Sequence, residues 1–228
     1  MKTRIKLAFL ASAAAALLGA CAPMYSSSQG AMSPMSFFVT SANPGKGGDL
    51  GGLAGADAYC QRLATAANAG GKTWRAYLSA APTPTTPAVN ARDRIGRGPW
   101  QNAKGVVVAT SVDDLHSANN KLSKENSITE KGEVVAGRGD PVNMHDILTG
   151  SRPDGTAALV EAGKDTTCGN WTQSSGGSAI VGHNDRDGTN PDPVANVSWN
   201  SSHGTPGCDM DSLKRVGGAG LFFCFAAN

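Results

Sequence analysis

The sequence predicts an α+β domain in which one or two helices accompany short mixed strands and long loops. One stretch, Leu53–Ala67, repeats apolar residues at helical spacing, whereas the other apolar runs are short. Clusters of Gly, Pro, Asn and Asp separate these runs and predict turns. A helix among many short strands is typical of the α+β class.

The domain is predicted to begin with a strand, a loop and a helix. Phe37–Thr40 is apolar and β-prone, and a glycine-rich turn follows it. In Leu53–Ala67, Cys60 shares its face with apolar residues three and four positions away, so we expect this cysteine to be buried. Thr73–Leu78 alternates as a strand. Its predicted buried face consists of Trp74, Ala76 and Leu78.

Loops and short strands are predicted for the rest of the domain. Ala80–Val89 is rich in Pro and Thr and predicts a surface loop, and Asp113–Val142 is mainly polar. The remaining strand-like runs are Val106–Ala109, Ile147–Gly150, Ala179–Val181, Val197–Trp199 and Leu221–Phe225.

The first 20 residues have the order of a bacterial signal peptide. Basic residues precede an apolar run from Leu7 to Leu18, which is shorter than the roughly 20 residues that span a membrane. Leu18-Gly-Ala-Cys21 resembles a lipobox, so we expect cleavage before Cys21 and acylation of its thiol. A soluble exported protein is the alternative. Ala22 is not the aspartate of an inner-membrane retention signal, which favours an outer-membrane lipoprotein facing the periplasm or the surface.

Cleavage would also change the charge balance. The signal peptide, residues 1–20, holds three of the 20 basic residues, so 17 remain against 18 acidic ones. This balance gives no basic stripe for a nucleic acid. Residues 21–36 have the composition of a flexible tether. Residues 37–228 are long enough for one domain with a sizeable core.

Four cysteines remain in this domain: Cys60, Cys168, Cys208 and Cys224. An even number in an exported chain predicts two disulfides, and the sequence leaves three pairings open. Metal binding by these cysteines is the competing interpretation, but no CxxC pair occurs and the spacings are long.

Several segments resemble the C-terminal domain of collagens XV and XVIII, the endostatin family. They are Gly55–Cys60, Thr73–Ser79, Arg92–Ile95, Trp100 with Asn102, Thr149–Gly155, Thr167–Thr172 and Leu221–Phe225. Bacterial lectin-like lipoprotein domains of unassigned role are similar as well. The endostatin fold is a variant of the C-type lectin-like fold, so the resemblance implies that architecture over residues 37–228. It also implies nested disulfides, Cys60 with Cys224 and Cys168 with Cys208.

The resemblance implies a binding surface for a glycan or an extracellular protein. Trp199, with Asn200 and His203 in a Gly- and Ser-rich setting, is the candidate to offer an aromatic face to a sugar ring, although core packing is favoured even for this residue. We expect His183 and Asp185 to lie near the same surface.

Oxygen ligands near Gly188 raise the question of calcium. His183 stands where an EF-hand loop would have its first carboxylate, and a hard cation does not favour imidazole. A solvated turn is the preferred interpretation, and no cofactor is expected. The calcium candidates are Asp185, Asp187, Asn190 and Asp192.

We therefore expect a membrane-anchored, lectin-like binding protein that is not an enzyme. A structural envelope lipoprotein without a small-molecule ligand is one alternative. A hydrolase is the other, since histidines, aspartates and serines are present. However, the sequence contains no nucleophile elbow, HExxH, P-loop or nucleotide-binding glycine motif.

Replacing Cys21 with alanine should abolish lipid attachment and release the protein from membranes, because the acylated thiol is lost. Incorporation of a labelled fatty acid in cells, followed by detergent partitioning, measures both effects. Ala22→Ser, at the next position, is the control and should keep the lipid. A Cys21→Ala protein that still carries lipid would contradict the lipobox interpretation.

Overall fold

The structure is a computed structural model and describes residues 33–158 and 164–228. The predicted signal peptide, Cys21 and most of the predicted tether lie outside these residues. Within the described ranges, no helix is long and apolar enough to cross a membrane.

The described chain contains one long helix among short strands and short helices. The strands are β1 (Phe37–Val39), β2 (Trp74–Ala76), β3 (Trp100–Gln101), β4 (Val107–Ala109), β5 (Asp146–Leu148), β6 (Ile180–His183), β7 (His203–Gly204) and β8 (Gly218–Ala226). The helices are α1 (Gly52–Ala66), α2 (Val112–Leu115), α3 (Cys168–Trp171), α4 (Pro193–Asn196) and α5 (Met210–Arg215). This composition confirms the predicted α+β class.

Strand β8 organises a six-stranded sheet. Both β1 and β2 pair antiparallel with Cys224 and Phe225, so they lie on opposite edges of β8. Strand β5 pairs parallel with the first half of β8, and β6 and β7 continue the sheet antiparallel. The resulting order is β1-β8-β5-β6-β7, with β2 also on β8. Strands β3 and β4 form a separate pair.

Strand β8 is buried on both faces of the sheet. Its alternate residues point to opposite faces, and each set packs in its own apolar cluster. Phe222 and Cys224 pack with α1 in one apolar cluster. Phe223 and Phe225 belong to a second cluster, together with Tyr77. Each fully buried phenylalanine contributes about 1.5–3 kcal/mol to stability.

Two nested disulfides are present, and they confirm the pairing that the resemblance implies. Cys60 in α1 bonds to Cys224 in β8, with Cα atoms 5.6 Å apart and a sequence separation of 164. Cys168 bonds to Cys208, with Cα atoms 5.7 Å apart and a separation of 40 residues. The outer bond fixes α1 to the sheet, and the inner bond encloses β6 and β7.

A buried carboxylate, Asp57, also fastens α1 to β2. Its oxygens accept hydrogen bonds from Arg94 at 2.7 and 2.8 Å, from Arg75 at 2.8 Å and from the backbone N–H of Ala76 at 2.9 Å. A buried charge is tolerated when it is paired and hydrogen-bonded in this way.

The predicted elements agree with the structure where their pattern is strong. Helix α1 lies within one residue of the predicted Leu53–Ala67, and the predicted apolar face of β2 is in the α1 core. The predicted strand at Val197–Trp199 is wrong. This segment follows α4 without strand pairing, and the nearby strand is β7, which is too short and polar to show in the sequence.

Removing either disulfide should destabilise the domain, and removing the outer one should destabilise it more. The double variants are Cys60→Ala/Cys224→Ala and Cys168→Ala/Cys208→Ala. Chain entropy predicts a difference of about 1 kcal/mol between them, because the outer loop is longer. Denaturant unfolding of both variants measures it. A larger loss from the inner pair would contradict this account.

Candidate functional site

Three strand ends bring histidines and an aspartate together at one edge of the sheet. In the antiparallel pair β5–β6, Asp146 lies opposite His183, and in β6–β7, Val181 lies opposite His203. His145 immediately precedes β5. Directly opposite residues in a sheet have side chains about 4.5–5.5 Å apart, so this register alone places Asp146 beside His183.

The three imidazoles converge on one carboxylate oxygen. The Nε2 atoms of His145, His183 and His203 lie 3.3, 3.3 and 3.4 Å from Oδ1 of Asp146. Asp146 is 1 % exposed, and His145 and His183 are nearly as buried. The His203 side chain is 31 % exposed and forms the outer side of the group. We call these four residues the His3Asp cluster.

The outer nitrogen of each ring contacts an acceptor. Nδ1 of His145 lies 3.0 Å from the Asp185 carboxylate. Nδ1 of His183 lies 2.9 Å from the carbonyl oxygen of Asn196, and Nδ1 of His203 lies 3.2 Å from that of Gly204. Carbonyl oxygens and ionised carboxylates only accept, so each Nδ1 is assigned as the donor. In the neutral rings, Nε2 therefore carries a lone pair and no proton.

The Asp146 carboxylate has no hydrogen-bond partner for either oxygen among the described residues. The neighbouring Nε2 atoms are close, but none is oriented to donate a well-formed hydrogen bond. Burying an ionised carboxylate without donors is unfavourable by several kcal/mol. The negative charge of Asp146 faces three ring nitrogens. Protons on the rings or a metal ion between the four groups would balance it.

The distances from Asp146 Oδ1 to the three Nε2 atoms match those between ligand atoms in tetrahedral metal coordination. Zinc binds histidine nitrogen and carboxylate oxygen at about 2.0–2.2 Å, which places ligand atoms of a tetrahedron about 3.3–3.5 Å apart. The three distances from Asp146 Oδ1 lie in this range. The ligand atoms of His145, Asp146 and His183 also lie within 4.8 Å of one another. His203 is outside this group of three, and we consider it as a fourth ligand because its Nε2 lies 3.4 Å from Asp146 Oδ1.

The electrostatics of the cluster favour negative carboxylates. Burial on its own raises the pKa of Asp146, but the close contacts with His183 and His203 outweigh it and lower that pKa below its ordinary value. For Asp185, burial is outweighed by His145 and by the backbone N–H groups of Arg138 and Asp187, and its pKa falls to about 2. Contact with Asp146 raises the pKa of His203, although burial opposes the shift.

Glycines allow two backbone segments to approach the cluster closely. A Cβ on Gly182 would lie 2.0 Å from the carbonyl oxygen of Trp199, so the chain after α4 can cross β6 only at a glycine. A Cβ on Gly188 would lie 2.3 Å from the ring of His183. Glycine at position 182 therefore leaves room for the backbone of Trp199, and glycine at position 188 leaves room for the imidazole of His183.

Three of the five predicted ligand-binding residues meet in this site. His183 and His203 belong to the His3Asp cluster, and Asp185 contacts His145 from behind. Trp199 is 4 % exposed and packs on Tyr77 and Phe223, with ring centroids 4.8 and 5.4 Å apart. The tryptophan is part of the core and offers no stacking face to a sugar.

Asn200 is also interior, at 1 % exposure. Its amide donates to the Tyr77 hydroxyl at 2.9 Å and to the Arg152 carbonyl at 3.0 Å. This network supports the loop on which Trp199 lies and leaves no amide group for a ligand.

The predicted calcium candidates have separate roles. Asp187 pairs with Arg138 at 3.2 Å, Asn190 donates to the Ser202 carbonyl at 2.8 Å, and Asp192 caps the start of α4. Within the described ranges, neither Asp187 nor Asp192 belongs to a metal-ligand group. Their contacts are those of the solvated turn that the sequence analysis preferred.

Neither His145 nor Asp146 was predicted as a ligand from the sequence. They are adjacent in the chain, but His183 and His203 are far from them, and no short metal-binding motif links the four. The available signal was composition: the chain has only four histidines, and three of them are in this site. In comparisons with known proteins, no family model matches the chain, and no curated protein is significantly similar to it.

Replacing Asp185 with alanine should allow His145 to populate both neutral tautomers. With its carboxylate acceptor removed, the Nδ1–H form loses its preference, while His183 and His203 keep their carbonyl partners. Ring 15N–1H NMR correlations of the metal-free protein at alkaline pH report the tautomers. Asp187→Ala is the matched control, because Asp187 pairs with Arg138 and not with His145. An unchanged His145 spectrum in Asp185→Ala would contradict the assigned contact.

Proposed function

We propose that this protein is an extracytoplasmic binding module for a transition-metal ion, and that the ion is Zn²⁺. One observation carries the proposal: the buried Asp146 carboxylate has no hydrogen-bond donor among the described residues, yet three histidine Nε2 atoms surround it. Neutral imidazole with carboxylate suits zinc and its neighbours in the transition series. Calcium prefers a shell made of oxygen atoms.

The contacts behind the rings support the same function. Histidines that bind a metal usually donate their other ring N–H to a carboxylate or a backbone carbonyl, which fixes the ring and makes it a better ligand. His145 has the Asp185 carboxylate in this role, and His183 has a carbonyl oxygen. These contacts assign the proton of both rings to Nδ1 and leave Nε2 available to an ion. The rings of His145 and His183 are stacked in parallel with centroids 4.4 Å apart, so they tilt relative to each other when both bind one ion.

The proposal includes the fold family and the location predicted from the sequence. Pairing of the first and last strands, a helix-to-strand disulfide and a second disulfide nested within it support a C-type lectin-like architecture. The lipobox supports an anchor at Cys21 in the outer membrane. With Trp199 and Asn200 buried, binding to a glycan or an extracellular protein is a prediction from the fold analogy alone.

The domain, stripped of metal with a chelator, should bind one Zn²⁺ per chain, as measured by isothermal titration calorimetry and elemental analysis. At a free concentration of about 100 times Kd, zinc should stabilise the folded domain by about 2.7 kcal/mol. Calcium should do neither. His183→Ala should weaken zinc binding at least about 100-fold, because a zinc site of about 10–16 kcal/mol loses one of four ligands.

His116→Ala is the matched control for His183→Ala. His116 is the one histidine outside the cluster, and its ring nitrogens contact the Tyr77 hydroxyl and the Val112 carbonyl, each at 2.7 Å. This variant should keep the zinc affinity of the original protein. A wild-type domain that binds no zinc, or an equal loss in both variants, would overturn the proposal.

A further inference from the structure

A small cavity adjoins the His3Asp cluster on the side of the imidazoles. Its volume is about 110 Å³, and its wall includes His145, His183, His203, Arg138 and Asn143 but not Asp146. An ion held by the cluster would therefore have the Asp146 carboxylate beneath it and this cavity above it. Zinc sometimes expands from four to five ligands, and in that case a molecule in the cavity can bind the ion directly.

Arg138 contributes a positively charged guanidinium group to the wall of this cavity. Its Nη1 donates to Asp187 at 3.2 Å and to the Gly188 carbonyl at 3.0 Å, which holds the side chain at the cavity. Its other guanidinium N–H groups donate to no acceptor among the described residues. A guanidinium next to a bound cation favours an anionic oxygen ligand, and its planar fork matches a carboxylate.

The size of the cavity limits the ligand. At about 110 Å³ it is much smaller than the cavity of about 780 Å³ that Arg152 lines. This size favours a small group, such as the carboxylate of a small acid or of one arm of a larger molecule.

We propose that the metal-loaded site binds a carboxylate, with one oxygen on the ion and Arg138 paired to the group. This inference rests on the proposed metal-binding function. The carboxylate belongs either to a small free acid or to the arm of a larger molecule, such as a uronic acid.

Cobalt-loaded protein tests this inference, because the visible bands of Co²⁺ change in intensity and position when a fifth ligand binds. The protein is saturated with Co²⁺ and titrated with acetate, glucuronate, the neutral analogue acetamide, chloride and phosphate. Acetate should change the bands saturably, and acetamide should not. A response to glucuronate as well would assign the carboxylate to an arm, and a response to acetate alone would assign it to a small acid.

Arg138→Gln should raise the Kd for acetate at least about tenfold, because a charge-assisted pair is lost. The variant is first titrated to full Co²⁺ occupancy, so that carboxylate affinities are compared on loaded protein. Arg152→Gln, an arginine on the wall of a different cavity, is the control and should keep the original Kd.

The outcomes separate the two proposals. Absence of Zn²⁺ binding in calorimetry, together with absence of Co²⁺ binding, would overturn the metal site itself. Bound Co²⁺ with bands that acetate leaves unchanged would overturn only the carboxylate inference. Equal responses to chloride, phosphate and acetate would show general anion binding and would also overturn it, as would an Arg138→Gln protein with an unchanged Kd.

Discussion

The burial of β8 on both faces is the constraint on which the described fold depends. This strand pairs with β1, β2 and β5, and its Cys224 carries the bond to α1. Strands β6 and β7 join β8 in the sheet through β5. The pairing register of these strands therefore sets the positions of Asp146, His183 and His203. The candidate site therefore lies on the rigid part of the domain, which is where precise ligand geometry is easiest to maintain.

Two buried aspartates differ in whether the described chain supplies hydrogen-bond donors to them. Asp57 is surrounded by two arginines and a backbone N–H, all of which donate to it, so its charge is satisfied within the chain. Asp146 is at least as buried but faces ring nitrogens whose protons are assigned to the opposite side. The comparison explains why burial alone is a poor guide to function, whereas burial without donors is informative.

The elements that the sequence predicted well are those with local signals. Helix α1 follows from its apolar spacing, and the disulfides follow from cysteine number together with a family resemblance. The site had no local signal, because pairing between distant strands places His145 and Asp146 beside His183. Trp199 was the tryptophan proposed for a binding surface because its neighbours are Gly and Ser, although core packing was favoured. Tyr77 and Phe223, remote in sequence, cover it.

The inner disulfide lowers the entropic cost of bringing the residues of the candidate site together. Cys168 and Cys208 close the loop that carries both His183 and His203, with β6 and β7 between them. While these thiols are reduced, the two imidazoles lie on an untied segment, and bringing them to Asp146 costs loop-closure entropy. Oxidation removes that cost in advance, so a metal ion that bound the candidate site as proposed would be held more tightly by the oxidised chain than by the reduced one.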